Sequence, residues 1–300
     1  MNISEDSFIS WSKGPAQTES DKCDNAEAAV RKAIKADAKL TSLDITVFAQ
    51  GSYSARTNVR RNSDVDITIR YNSAFFPDYP KGTTKETFGN VDGTMLFSDF
   101  KNMVRQALEN YFGKDGVTQG KKAFDVHANT YRIDADVLPT FEHRRYTGEF
   151  TAAGSHHYLS GVAFIPDKGY LIINWPQQTY DNGVARNTVT GRKYKRVIRI
   201  LKRLRDKMQS ENVSAAASIS SFLIECLVWN AEVEAFAKDT YTDIMRHVIA
   251  DTWNRTRKNE DCSEWGEVNE LKYLFRNSQP WTRQQANDFL QAAWDYIGYI

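Results

Sequence analysis

Alternating and helical spacings succeed one another in a definite order along the chain. Residues 20–40 place Ala26, Ala29, Val30, Ala33 and Ile34 on one side of a helix. Residues 44–52 (DITVFAQGS) read as a strand ending on a Gly-Ser turn. Asp64–Tyr71 then alternates Val65, Ile67 and Ile69 with Asp64, Asp66 and Thr68. The stretch 72–93, rich in Gly, Pro, Thr and charge, reads as a loop. A helix is predicted over 98–113, with Ser98 as N-cap and Gly113 as its stop. Strands are predicted near 122–129 and 131–138, ended by Pro139, and a further pair at 161–165 and 170–174 brackets the turn PDKG. From about 190 onward the spacing is helical almost throughout. Mixed strands followed by helices define an α+β chain, divided here into 1–190 and 191–300.

The alternation carries chemistry. A period of two puts Asp64 and Asp66 on one face of a strand, where two like charges resist ionising together unless a cation lies between them. The stretch YRIDADVLPTF (131–141) repeats the device with Asp134 and Asp136. Three carboxylates facing one another would hold divalent cations for phosphoryl transfer, with either Asp134 or Asp136 as the third.

The segment GRKYKRVIRILKRLRDKM (191–208) forms an apolar helical stripe from Tyr194, Val197, Ile198, Leu201, Leu204 and Met208. Lys195, Arg199 and Lys202 line one edge of it. The segment has nine basic residues against the single acid Asp206, whereas a merely solvated face mixes signs. A polyphosphate is a natural counter-charge for this edge.

Composition narrows the options. Charged residues make up 26% of the 300, yet the formal net charge is only +1. Long nucleic acid is therefore not an expected partner. Arg60-Arg61 and Arg144-Arg145 are isolated basic pairs, too few for a duplex footprint. Cys23, Cys226 and Cys262 are far apart and form no zinc-type spacing with the five histidines, so a reducing cytosolic protein is the expectation. No signal-type leader and no membrane-spanning run is read. His156-His157 reads as a surface feature. Trp175, Tyr180, Asn174 and Asn182 precede the basic helix, and structural roles are favoured for them over contacts to a base.

The chain resembles a known family in these motifs. Gly51-Ser52, Asp64-Val65-Asp66 and Asp136-Val137-Leu138-Pro139 look like the signature of the polymerase-β-like nucleotidyltransferases, and most of all of their cGAS/DncV-like and oligoadenylate-synthase-like members. Stretches 174–187, 195–208 and 218–230 look like the corresponding run of the bacterial enzymes. The resemblance implies a bilobal fold, with an N-terminal mixed-sheet palm, a long spine helix and a helical lobe that closes over nucleotides. It implies that Gly51 and Ser52 hold the donor triphosphate, that Asp64 and Asp66 bind two metals, and that Asp136 binds the catalytic metal. Lys195 and Ser221 would meet the triphosphate; Lys202 and Arg199 are added from the helical wheel alone. The implied cofactor is Mg²⁺, with Mn²⁺ as the alternative, and the implied substrates are ATP and/or GTP. The implied product is a cyclic di- or trinucleotide that activates an effector in an anti-phage operon. A linear oligoadenylate, a nucleotide attached to RNA or protein, and an inactive nucleotide-binding regulator are the competing readings. Without a zinc thumb or a long basic face, no nucleic-acid activator is expected, although a regulatory protein remains open.

Overall fold

The computed structural model describes residues 2–59, 64–276 and 279–299, so Arg60 and Arg61 lie outside the described residues. The chain packs into two units. One is strand-bearing and comprises Ala16–Tyr53 and the described part of Arg61–Gln177. The other is helical and comprises the described parts of Met1–Pro15, Ser54–Arg60 and Gln178–Ile300. Thus the packing division near residue 177 precedes the boundary read at 190, and residues before 16 pack with the later helices.

The strand-bearing unit contains β1 (Ile45–Gln50), β2 (Val65–Asp78), β3 (Val117–Gln119), β4 (Phe124–Val126), β5 (Ala135–Phe150), β6 (His156–Phe164) and β7 (Ile172–Asn174). The path is β1-β2-β5-β4-β3, with β6 added to the far half of β5 and β7 beyond it. β2 and β5 run parallel and the other pairings are antiparallel. Helices Gln17–Ala36 and Phe97–Phe112 contribute Val30, Ala33, Val104 and Leu108 to a core shared with Val65, Ile67, Ile69 and Val137.

Three local expectations are corrected. Residues 72–78 are not loop: β2 continues to Asp78 after a register shift between Tyr71 and Phe75. The Asn72 amide donates to Asp44 at 3.0 Å and Thr46 at 2.9 Å in that irregularity. β1 pairing ends at Tyr71, so Pro77 sits on an exposed strand edge, where a missing N–H is tolerated. Pro139 does not end its strand either. It stands opposite Ile69 in the β2 pairing, and on the other edge of β5 it falls between the end of β4 pairing at Val137 and the start of β6 pairing at Phe141, so that edge asks no ladder bond of its missing N–H. Ser98 is inside its helix rather than capping it; Leu96 holds the cap position, and Gly113 does end the helix at φ 82°.

In the helical unit, helix Tyr194–Ser210 buries Tyr194, Val197, Ile198, Leu201, Leu204 and Met208 against helices Ser221–Trp229, Tyr241–Thr256 and Arg283–Ile297. Among the described residues no helix is long and apolar enough to cross a membrane.

Candidate active site

In the strand-bearing unit, β1 ends at Gln50 and the chain enters a short helical turn, Gly51–Ser54. Gly51 has φ +67°, which L side chains rarely adopt. A Cβ built there would overlap Asp66 Oδ2 and lie 3.0 Å from Asp66 Cγ. The glycine therefore lets a carboxylate lie directly against the backbone of the turn. Gln50 is the register partner of Asp66, Asp66 of Asp136, and Asp136 of Asp125. Neighbouring strands are about 4.8 Å apart, so β2, β5 and β4 carry a row of three acids at one level of the sheet.

Asp64 lies one residue ahead of β2 and is exposed. Its carboxyl is raised above the ordinary aspartate value, first by partial burial, then by the charges of Asp134 and Asp125. Asp136 is raised first by burial, then by Asp64, Asp125 and Asp134. Asp64 and Asp136 thus belong to one electrostatic cluster. Between the two candidates for the third acid, Asp134 accepts the Ala128 N–H at 2.6 Å, while Asp136 stands in register with Asp66. Sequence reading gave no role to Asp125. Its signal was present in Phe124-Asp125-Val126, an acid between two buried apolar residues.

Among the described residues no three His, Cys, Asp or Glu side chains form a ready-made metal cage. Mg²⁺ rarely uses such cages; it takes one or two carboxylates and completes its shell with water and substrate phosphates. An all-carboxylate donor set, backed by a glycine that brings Asp66 against the turn, fits Mg²⁺ or Mn²⁺.

In the helical unit, Lys195 is half-buried, with its ammonium 5.6 Å from the Tyr180 ring centroid. Burial, then Arg56 and Arg199, push its value down. Among the described residues no carboxylate lies within ion-pair distance of it. Ser221 is exposed at the first position of helix Ser221–Trp229, next to the capping residue Ser220. Its Oγ accepts from Arg205 Nη2 at 3.1 Å.

The other two residues of the basic edge are occupied elsewhere. Lys202 is 1% exposed, and its ammonium lies 2.5 Å from Glu225 Oε1 and 3.1 Å from the Thr57 carbonyl. The assignment of Lys202 to nucleotide binding is therefore corrected: its charge is spent inside the helical unit. Arg199 donates to the carbonyls of Ser12 at 2.7 Å and Arg56 at 2.6 Å. Burial, then neighbouring Arg196, lower its value to about 10.

Trp175 is buried against His143, with ring centroids 5.0 Å apart. Asn182 donates to the Val268 carbonyl at 2.8 Å. His157 Nδ1 is 3.0 Å from Thr147 Oγ1, and His156 stacks near Phe150. Arg144 and Arg145 pair with Glu142 and Asp78.

A mixed sheet with acids in register at the mouth of a Gly-Ser turn, together with a helical unit, is the architecture of a polymerase-β-like nucleotidyltransferase. The model of the cGAS/DncV-like nucleotidyltransferase C-terminal helical domain matches residues 181–298. The chain is 40% identical over 295 residues to the cyclic dipyrimidine nucleotide synthase CdnE of Legionella pneumophila, covering 98% of this chain and 97% of that one. It is 38% identical over 296 residues to the synthase of the same name from Cecembia lonarensis, covering 98% of each chain. The solved structure of Elizabethkingia meningoseptica CdnE cyclic dinucleotide synthase with GTP and Apcpp superposes with a TM-score of 0.82 at 35% identity, covering 99% of this chain and 100% of that one. The chain belongs to the cGAS/DncV-like nucleotidyltransferases.

Proposed function

We propose that the protein joins nucleoside triphosphates into a cyclic di- or trinucleotide signal. The observation that carries this reading is similarity along nearly the whole chain to enzymes named for cyclic nucleotide synthesis. A ribose hydroxyl oxygen attacks the α-phosphorus and the bond to pyrophosphate breaks; the second such transfer closes a dinucleotide ring and the third a trinucleotide ring.

Ser52 and the turn backbone hold the donor phosphates, and Asp64, Asp66 and Asp136 would hold Mg²⁺. The cation supplies charge neutralisation for the phosphates and the attacking oxygen. Asp136, whose proton affinity burial and neighbouring acids raise, accepts the proton of the attacking hydroxyl. Lys195 brings a half-buried cation without a carboxylate partner among the described residues, and Ser221 brings a hydroxyl at a helix start; both engage the triphosphate. ATP and GTP remain substrates in this reading, and the names of the two relatives, cyclic dipyrimidine nucleotide synthases, add pyrimidine nucleotides. The product activates an anti-phage effector in the cytoplasm, and no nucleic acid is needed.

Incubation with Mg²⁺ and each of the four labelled NTPs, alone and in pairs, tests the reading. The expected product is small and resists phosphatase. A phosphatase-sensitive ladder identifies a linear synthase, and label retained on protein or RNA identifies a nucleotidylating enzyme. Either result overturns cyclisation.

A further inference from the structure

The helical unit contains a buried ion pair that grips the chain between the two acid- and serine-bearing segments of the candidate site. Residues 54–59 begin two positions after Ser52 and precede Asp64 in the chain, and they pack with the helical unit. Beyond Ser54 this segment has no helix or strand, yet Thr57 is 2% and Asn58 5% exposed. Irregular backbone buried in this way needs partners for its polar groups. The basic helix supplies them from successive turns. Arg199 Nη1 donates to the Arg56 carbonyl at 2.6 Å, and Lys202 Nζ to the Thr57 carbonyl at 3.1 Å. Lys202 and the Thr57 hydroxyl converge on Glu225 Oε1, at 2.5 Å and 2.7 Å. Arg56 has φ 55°, a backbone conformation that a residue with a side chain keeps only where its surroundings enforce it.

A buried ion pair is weak evidence for stability, because well-packed apolar residues of similar volume often serve a fold as well. This one also makes three polar contacts to a single residue of an otherwise irregular segment. We propose that Lys202, Glu225 and Thr57 are positioning residues for nucleotide binding: they clamp segment 54–59 and thereby fix the turn that carries Ser52. The inference rests on Ser52 holding the donor phosphates.

Thr57→Val removes the hydroxyl and keeps the volume and the Lys202–Glu225 pair; Thr57→Ser keeps the hydroxyl. A loosened site costs on the order of tenfold to a hundredfold in kcat/KM. Thr57→Val is expected to show that loss mainly as a raised KM for NTP, with melting within a few degrees of wild type, and Thr57→Ser to recover most of it. The double variant Lys202→Met with Glu225→Leu is expected to stay folded and to share the raised KM. Binding is read separately, as the melting shift given by Mg²⁺ and a non-hydrolysable ATP analogue, which should shrink in Thr57→Val. A wild-type KM and a wild-type shift in Thr57→Val overturn the clamp, as does a loss of folded protein with unchanged KM. If wild type makes no nucleotide product, the cyclic-nucleotide reading fails instead, and the melting shift alone judges the clamp.

Discussion

Gly51 and Asp66 are in such close contact that any side chain at position 51 must displace a carboxylate: its Cβ would lie 3.0 Å from Asp66 Cγ and overlap a carboxylate oxygen. The left-handed backbone at Gly51 adds roughly 1–2 kcal/mol of strain for any L side chain. Gly51→Ala should therefore push Asp66 out of the acid row and lower NTP turnover at least about a hundredfold. Circular dichroism should remain that of wild type, since residues 51–54 contribute no buried side chain. Retained turnover in Gly51→Ala would separate the Gly-Ser turn from the chemistry.

The acid cluster makes a pH-dependent prediction. Burial and the surrounding acids raise Asp64 and Asp136. A raised folded-state value favours folding while the carboxyl is protonated. That contribution is intact below the unfolded value of about 3.9 and is lost as pH rises through the raised value. In EDTA, Asp136→Asn should therefore gain melting temperature over wild type between pH 4 and pH 7, and Mg²⁺ should narrow the gap. A pH-independent difference in paired melting curves would count against the cluster. The double variant Asp64→Asn with Asp66→Asn should stay folded and consume no NTP in the labelled-product assay.

Lys195 and Lys202 lie on one helix edge and should behave oppositely. A charge-assisted phosphate contact is worth about 1.5–3 kcal/mol. Lys195→Ala should accordingly raise the KM for NTP about ten- to hundredfold with little change in melting. Lys202→Ala strands Glu225 as a buried charge, which costs about 3–5 kcal/mol, so it should melt far lower in denaturant titrations.

Turnover should not respond to nucleic acid. Duplex binding needs many basic contacts in one footprint, whereas Arg144, Arg145, Arg199 and Lys202 already serve internal partners. Purified protein with NTPs and Mg²⁺ should work equally before and after nuclease treatment. Stimulation by double-stranded DNA that nuclease abolishes would reverse this.

The register of Asp66 with Asp136 was legible because alternation fixes which side chains share a strand face, whereas Asp64 and Asp134 each stand one residue ahead of the strand they were read on. Asp125 was not, because its standing depends on an antiparallel partner that no local pattern names. Helix spacing put Tyr194, Val197 and Leu201 in the core correctly. It could not tell that Lys202, at the stripe's edge, would meet Glu225, which lies 23 residues further along the chain. The pattern at Pro139 suggested a break; only the exchange of β4 for β6 along β5 explains why the strand runs on.

The helical unit is assembled from three stretches of chain, beginning before residue 16, returning at Ser54, and resuming at Gln178. The helix Glu5–Ser12 packs on the helices Tyr194–Ser210 and Tyr241–Thr256, which leave the ribosome long after it. Phe8, buried in the finished molecule, stays uncovered until the helix Tyr194–Ser210 has been made. Both strands of the β2–β5 pairing are complete in the chain at Phe150, before the helix Tyr194–Ser210 is made. A fragment starting at Gln178 would lack both the Phe8 segment and Thr57, and should be recovered as an aggregate rather than as an autonomous domain.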